Sequence, residues 1–137
     1  MVEIRYFTKS KKGNTYKLAQ AVSEAINVEA KTVENDLEQE VDILFLVNAM
    51  YAATIDKEVK DFLSRNKDKI KCLVNVNSAA SGKSTIKAVK KVCNKLNIPV
   101  LEKEYHTVAS WLKLNKDRPN EADLNRLKEF AKEVVNN

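Results

Sequence analysis

Apolar residues along the chain follow strand-like and helix-like periods in alternation. Five short stretches show the alternating or continuous apolar pattern of β-strands, and these are 2–7, 28–33, 43–47, 70–76 and 98–108. Four longer stretches repeat apolar residues every three or four positions, as amphipathic helices do, and these are 15–26, 55–65, 84–96 and 121–135. The run 43–47 is apolar throughout, which is typical of a strand covered on both faces.

The order β-α-β-β-α-β-α-β-α predicts the fold class. Strands separated by helices pair in parallel through right-handed crossovers, and helices must then cover both faces of the sheet. We predict a single domain over 1–137 with a three-layer, doubly wound α/β architecture. Ligands bind such sheets at the carboxyl ends of the strands, so the candidate binding loops are 8–15, 48–54, 77–83 and 107–119.

Two local details accompany this pattern. Asn120 precedes the last helix and Asp123 follows three positions later, which predicts a capped helix start. Glu3 and Arg5 place charges in a strand that should be central, and the pattern offers no reason for them.

The composition narrows the class of protein. The 137 residues suffice for one core, and the two glycines, Gly13 and Gly82, exclude collagen-like and glycine-linker sequences. No apolar run is long enough to cross a membrane, and the N-terminus lacks the pattern of a signal peptide. Cys72 and Cys93 form no CxxC motif and are expected to be reduced, buried thiols of a cytoplasmic protein. A single histidine, His106, argues against a metal site.

Charge is distributed unevenly along the chain. Residues 1–66 carry 9 basic and 11 acidic side chains (−2), and residues 67–137 carry 15 and 8 (+7), which together give +5. Four lysines recur at every fourth position along one predicted helix, away from its apolar stripe, as on a solvated helix face, and these are Lys83, Lys87, Lys91 and Lys95. No nucleic-acid-binding motif or interleaved aromatic residue accompanies them, so nucleic acid is not the expected partner.

The first candidate loop, 8–15, combines hydroxyl side chains with one glycine at a predicted helix start. Free backbone N–H groups and the helix dipole favour an anion there, and Thr8, Ser10 and Thr15 add hydroxyl donors. Gly13 is able to take a positive φ and to allow a phosphate close to the backbone. The alternative is an ordinary polar turn in which Asn14 or Thr15 caps the helix.

This loop resembles the phosphate loop of flavodoxins, in which an aromatic strand end is followed by a hydroxyl-rich segment that closes in Gly-Asn-Thr. The resemblance extends through 46–52 and 62–63 to 118–124 and 130–131, and it covers the order of strands and helices. It implies a flavodoxin-like three-layer sandwich with a five-stranded parallel sheet in the order 2-1-3-4-5. It also implies non-covalently bound flavin mononucleotide (FMN) and electron transfer.

The resemblance assigns candidate site residues by position. Those expected around the FMN phosphate are Thr8, Ser10, Lys11, Lys12, Gly13, Asn14 and Thr15. Those expected to flank the isoalloxazine are Asn48, Ala49, Met50 and Tyr51, of which Tyr51 is the best stacking candidate. Those expected to offer backbone groups to its pyrimidine edge are Asn77, Ser78, Ala79 and Ala80. The alternative for Tyr51 is an aromatic residue that packs on the core.

The chain departs from the family pattern in three ways. The first loop contains three lysines, Lys9, Lys11 and Lys12, where the family usually has uncharged donors. The net charge of +5 contrasts with the strong acidity of many flavodoxins, so partners with acidic docking surfaces are expected. The second loop, 48–54, contains no glycine, so a peptide flip toward a reduced flavin costs more there.

Three further features were weighed as functional signals. Gly82-Lys83-Ser84 nearly completes an ATP-binding P-loop, but Asn77 stands where the first glycine belongs. The better interpretation is a helix start with Ser81 or Gly82 as its cap, and the alternative is a segment that contributes to the rim of a flavin pocket. His106 is expected to be structural or exposed. Trp111 is expected either to cover a flavin or to pack under the last loop.

The sequence therefore predicts an FMN-binding carrier that shuttles electrons between redox enzymes. The first alternative is an FMN-dependent NAD(P)H or quinone reductase of the same fold. The second is a flavodoxin-fold binding module without flavin. No catalytic residue and no metal are expected in the carrier, since the cofactor supplies the chemistry.

Overall fold

The computed structural model, which describes residues 1–9, 13–50, 54–110 and 116–136, contains each of the nine predicted elements. The strands are β1 Val2–Tyr6, β2 Ala30–Thr32, β3 Ile43–Ala49, β4 Leu73–Ala79 and β5 Tyr105–Val108. The helices are α1 Asn14–Ile26, α2 Lys57–Asn66, α3 Ile86–Leu96 and α4 Glu121–Asn136. A short 3-10 turn, Lys67–Lys69, follows α2.

The sheet order is β2-β1-β3-β4-β5 and every pairing is parallel, which confirms the predicted fold class. Ile4 lies beside Phe45, and Phe45 lies beside Val74, so the apolar run of β3 is at the centre of the sheet. Apolar residues of one sheet face pack with α1 and α4, and those of the other face pack with α2 and α3. Both sheet faces are therefore covered by helices.

The strands are shifted at their ends relative to the prediction. β3 and β4 continue two and three residues further than the apolar runs do, to Ala49 and Ala79. β5 is much shorter than predicted, because Val100 forms only an isolated bridge with Leu73 and pairing resumes at Tyr105. Apolar periodicity misplaces these ends because polar residues continue the pairing of β3 and β4.

Glu3 and Arg5 are accommodated in β1 because Arg5 is bonded by Glu3 and by the segment that follows β2. Arg5 is 2% exposed, and its guanidinium donates to the carbonyls of Asn35 at 2.7 Å and Asp36 at 3.3 Å and to the Glu3 carboxylate at 2.7 Å. A buried guanidinium is tolerated when its donors find acceptors. The segment after β2 therefore takes the place of a helix over this end of β1.

Positive φ angles occur at three described positions. Gly82 has φ +75°, while Asn27 and Asn97 have φ 55° and 60° and end α1 and α3 in the left-handed conformation. Asparagine tolerates this conformation better than other residues with a Cβ. Helix ends closed by asparagine explain how the chain folds with only two glycines.

Two further expectations concern the described residues. Cys93 is buried and Cys72 half-buried, and both are free thiols. Burial raises the pKa of the Cys93 thiol to about 12, so this thiol is inert near neutral pH. No helix within the described ranges is long and apolar enough to span a membrane.

Candidate functional site

The candidate loops converge at the carboxyl edge of the sheet. The Met50 N–H donates to the Ser78 carbonyl at 3.2 Å, and the Ala109 N–H donates to the Ala79 carbonyl at 2.9 Å. These two bonds join the chain that leaves β3, and the chain that leaves β5, to the end of β4. The edge is therefore a connected surface on which the candidate residues of three strands are neighbours.

The start of α1 is the part of this edge best suited to an anion. Gly13 is the N-cap residue, and because it has no side chain it offers no cap to the amides of the first turn. That turn contains no acidic residue, and Thr15 within it is 3% exposed. Uncapped N–H groups and the positive end of a helix dipole attract a phosphate when no carboxylate competes for them.

Gly13 has an extended backbone. Its φ of −76° and ψ of −173° are extended values that any residue adopts, so the positive φ that glycine permits is not used at this position. The glycine that needs its conformational freedom is Gly82, with φ +75°. The absence of a Cβ at Gly13 still leaves the approach to the α1 amides open.

Asn14 and Thr15 do not cap α1, because both are inside the helix. The Asn14 amide instead donates to the Ser110 carbonyl at 3.0 Å and to its hydroxyl at 3.3 Å. On the other side, the Lys9 ammonium lies 3.6 Å from the Asp56 carboxylate, just before α2. The loop after β1 is therefore tied to the loops that follow β3 and β5.

Several candidate residues lie outside the described ranges, and these are Ser10, Lys11, Lys12, Tyr51 and Trp111. Thr8, Ala49 and Met50 are half-buried, and Ala80 is exposed. The structure brings Thr8, Gly13 and Thr15 to the carboxyl edge of β1, and Ala49, Met50 and Ala80 to the ends of β3 and β4.

Asn48 and Asn77 turn their side chains into the protein. Each is at most 1% exposed. The Asn48 amide donates to Asn75 Oδ1 at 2.8 Å and accepts from the Thr85 hydroxyl at 2.7 Å. Asn77 accepts from the Thr85 N–H at 3.1 Å and donates to the Lys83 carbonyl at 3.0 Å. Both amides therefore fix the segment before α3.

Five residues of the predicted loops after β3 and β4 are consequently strand residues, namely Asn48, Ala49, Asn77, Ser78 and Ala79. Sheet pairing continues through Asn48 beside Asn77 and Ala49 beside Ser78. The carbonyls of Ser78 and Ala79 accept from Met50, Gly82 and Ala109. Their carbonyls thus serve the sheet edge and its turns, which contradicts the expectation that 77–79 are loop residues.

Asn75 and Thr85 were not identified from the sequence as members of this buried hydrogen-bond network, because neither belongs to a recognisable motif. Asn75 is fully buried and also donates to Glu104 at 3.3 Å, and Ser84 donates to the same carboxylate oxygen. A signal was available, since Asn75 and Asn77 are two apart in a strand and so share one face. Paired buried amides on one face indicate a polar network beneath the loops.

A tight turn connects β4 to the segment before α3. The Gly82 N–H donates to the Ala79 carbonyl at 2.9 Å, and His106 Nδ1 donates to the Gly82 carbonyl at 2.8 Å. The helix begins at Ile86, so the prediction that Gly82 starts it was wrong. His106 is exposed, and its role in the structure is to hold this turn.

The start of α4 is closed by its own residues. The Asn120 side chain accepts from the Asp123 N–H at 2.9 Å, and the Asp123 carboxylate accepts from the Asn120 N–H at 2.8 Å. This reciprocal pair is a capping box, and it confirms the predicted cap. Arg118 holds the carboxylate through two bonds, at 2.6 and 2.9 Å.

The Asp123 carboxylate is ionised in this setting. Burial alone would raise its pKa, but the hydrogen bonds from Arg118 and the Asn120 N–H, with the charges of Arg118 and Arg126, hold the pKa below its usual range. The Tyr105 hydroxyl donates to the Asp123 carbonyl at 2.7 Å, which attaches the start of α4 to β5.

The donor set fits the phosphate of FMN. The first turn of α1 has backbone amides without a side-chain cap and no acidic residue, and Thr15 lies within it and Thr8 in the loop before it, which is the chemistry that a phosphate dianion needs. Beside it, the ends of β3 and β4 present half-buried Ala49 and Met50, which are suited to a flat apolar ring.

Comparisons with known proteins identify the fold. No protein-family model and no curated protein sequence matches the chain. Among solved structures, an archaeal flavodoxin matches with a TM-score of 0.73 and 15% identity over 99% of this chain and 97% of its own. The oxidised flavodoxin 1 of Bacillus cereus matches with a TM-score of 0.67 and 15% identity, over 98% and 96%. An NAD(P)H:quinone oxidoreductase from Methanothermobacter marburgensis matches with 0.66 and 11%, over 97% and 94%. The chain has the flavodoxin fold.

Proposed function

We propose that this protein is a flavodoxin that binds FMN and shuttles electrons between redox enzymes. The observation that carries the proposal is the start of α1, where an N-cap glycine and a first turn without acidic residues follow the interior strand β1. In doubly wound sheets this edge, near the reversal in strand order, is where cofactors bind.

The residues of the first loop have a defined role in this proposal. Thr8, Gly13 and Thr15, together with the segment 10–12, hold the phosphate through amides and hydroxyls. Asn14 supports this loop through Ser110. FMN, when bound, supplies the electron-accepting and electron-donating chemistry, and the protein contributes position and environment.

The second flavin loop is proposed over 48–51, with Tyr51 as the stacking residue. Met50 is anchored by its N–H to the end of β4. The buried amides of Asn48 and Asn77 keep this edge rigid from below. A rigid platform without glycine favours one backbone conformation of the loop.

The proposed setting is the cytoplasm, and the proposed partners are redox proteins with acidic docking surfaces. Two free thiols, one of them buried, are in keeping with a reducing compartment. The excess of 24 basic over 19 acidic side chains supports partners of opposite charge.

The direct test is whether the purified protein carries FMN. We expect a yellow protein that releases FMN on heating, and an apoprotein that quenches FMN fluorescence with one-to-one stoichiometry. A colourless protein that neither quenches FMN fluorescence nor gains thermal stability from FMN would instead support a flavodoxin-fold module without flavin.

A threonine variant tests the phosphate loop. Thr15→Val keeps the shape of a 3% exposed side chain but removes its hydroxyl, so the FMN dissociation constant should rise about tenfold. Thr32→Val, on the edge strand β2, is the control for a lost threonine hydroxyl, and FMN titration should find its affinity unchanged. Equal affinities for both variants would place the phosphate elsewhere.

The second candidate function is an FMN-dependent NAD(P)H or quinone reductase. It is favoured by the likeness to the Methanothermobacter marburgensis NAD(P)H:quinone oxidoreductase over 97% of this chain. Oxidation of NADPH by the FMN-loaded protein without a separate reductase would select this function over the carrier.

A further inference from the structure

A lysine-rich surface lies along the outer side of α3 and the segment before it. The sequence from Lys69 through Leu101 contains seven lysines and no aspartate or glutamate. Four of these lysines repeat at every fourth position, and we term them the lysine row, namely Lys83, Lys87, Lys91 and Lys95. All four are exposed, while Val89 and Cys93 face the core.

The lysine row is not held in ion pairs with any described residue, although the Glu104 carboxylate accepts from Ser84, next to Lys83. Within the described parts of the chain, none of its members forms an ion pair. Lys90, on the same helix, pairs with Glu102 at 3.0 Å, so α3 does have an acid within reach of another lysine. The row therefore presents a positive field to solvent, which extends over about 8 to 10 Å at moderate ionic strength.

The row begins at a groove beside the candidate flavin edge. This groove has a volume of about 390 Å³, and its lining includes Met50, Ile86, Ala88, Lys83 and Lys87. Met50 is a candidate flavin neighbour and is bonded to the end of β4. The groove thus combines the apolar side chains of Met50, Ile86 and Ala88 with two basic side chains of the lysine row.

We propose that the groove and the lysine row are the docking surface for an acidic face of a redox partner protein. The proposal rests on the proposed function, since an electron carrier must bring its partner close to the flavin edge. Carboxylates on the partner pair with the row, and an apolar residue of the partner fits the groove. Such complementarity raises the association rate and fixes orientation.

The composition of the surface favours a protein over nucleic acid. From Lys69 to Glu104 the chain contains no aromatic residue, so the row and its groove have no ring on which bases could stack. Arginine, the residue best suited to bind phosphate groups bidentately, is also absent from this segment.

The test is a titration of the ¹⁵N-labelled full-length protein with a polyglutamate peptide at low ionic strength. We expect amide shifts concentrated in 80–96 and around Met50, and a dissociation constant that rises with salt. A double variant, Lys83→Gln with Lys87→Gln, should weaken the binding about fivefold. Shifts spread over all faces of the protein would overturn the proposal.

A matched control separates position from net charge. Lys67→Gln with Lys132→Gln removes the same two charges from exposed lysines that form no ion pair within the described residues. Polyglutamate affinity should change less than twofold in this variant. An equal loss in both double variants would mean that the peptide senses total charge, and would contradict the docking surface.

The same samples distinguish the two proposals from each other. FMN affinity is measured for the wild type and both double variants, and should be the same within twofold. If FMN binds normally but the Lys83→Gln, Lys87→Gln variant binds polyglutamate as tightly as the wild type, the docking surface alone is refuted. No FMN binding in any sample would refute the proposed function. Oligothymidylate of equal charge that binds the row more tightly than polyglutamate would show that the partner class is wrong.

Discussion

The starts of α1 and α4 both lie at the loop-bearing edge of the sheet, yet they are built in opposite ways. α4 begins with Asn120 and Asp123, whose side chains and amides bond reciprocally and are clamped by Arg118. α1 begins with Gly13, which has no side chain, and with no acidic residue in its first turn. One helix closes its positive end with its own carboxylate, and the other leaves that end open.

This difference shows how a sequence separates stability from binding. Where a helix start contributes only to stability, its free N–H groups are best bonded by side chains of the protein itself, since one such cap stabilises the fold by about 1 kcal/mol. A helix start that binds an anion must not carry a competing carboxylate. On this argument we propose that α1, with its N-cap glycine, is the helix that binds the phosphate.

The largest effect is expected when α1 is given the carboxylate that α4 has. Gly13→Asp fits the observed φ of −76° and should stabilise the apoprotein by a few tenths of a kcal/mol. It places a negative charge where the FMN phosphate is proposed, so FMN affinity should fall by about 2 kcal/mol, roughly thirtyfold.

Gly13→Asn is the matched neutral change. It should keep FMN affinity within about fivefold in the same fluorescence titration, since it adds a similar side chain without the charge. Equal losses in both variants would indicate steric hindrance in place of electrostatic repulsion.

Removal of the carboxylate that caps α4 should lower the stability of the fold and leave FMN affinity unchanged. Asp123→Ala removes a capping box and the acceptor of Arg118, so the unfolding free energy should fall by about 2 kcal/mol in urea denaturation. Glu121→Ala, an exposed residue of the same turn, should lower it by only about 0.5 kcal/mol. A small effect of Asp123→Ala would mean that the clamp contributes little to stability.

The two glycines should respond in contrasting ways to alanine. Gly82→Ala puts a Cβ on a residue with φ +75°, 3.2 Å from Val108 Cγ2, and should cost about 1 to 2 kcal/mol. Gly13→Ala occupies an ordinary extended conformation and should lower the unfolding free energy by less, about 1 kcal/mol or under, through the poorer cap. Thermal unfolding of the two variants measures the difference, and a reversed order would contradict it.

The smallest effect is a pH dependence that comes from the α4 start. The pKa of Asp123 is lower when folded than its ordinary 3.8, so its stabilisation is present above that value and is lost as pH falls through the folded pKa. Urea midpoints measured from pH 6 down to about pH 3 should therefore converge for wild type and Asp123→Asn. A difference that grows toward low pH would have the wrong sign.

Much of the fold was predictable because apolar periodicity depends on burial. The five strands, four helices and their parallel order follow from runs such as 43–47, and the cap at Asn120 follows from residue types. The ends of β3 and β4 did not, because Asn48 and Asn77 look like loop residues and are buried through hydrogen bonds with Asn75.

The sequence predicted where the candidate site lies on the sheet, but not the backbone conformation of its loops. The loops after β1, β3 and β4 meet where a doubly wound sheet requires. The positive φ occurs at Gly82 and not at Gly13, and residue type alone does not say which glycine takes it. That choice depends on the local hydrogen bonds, here those of Ala79 and His106 with Gly82.

The central claim is that the open start of α1 binds the phosphate of FMN. Its most direct test compares the affinity of the apoprotein for FMN and for riboflavin, which differ only in that phosphate. We predict that FMN binds at least about a hundredfold more tightly, and that Gly13→Asp removes most of this preference. Equal affinity for the two flavins, or a preference that Gly13→Asp leaves intact, would contradict the claim.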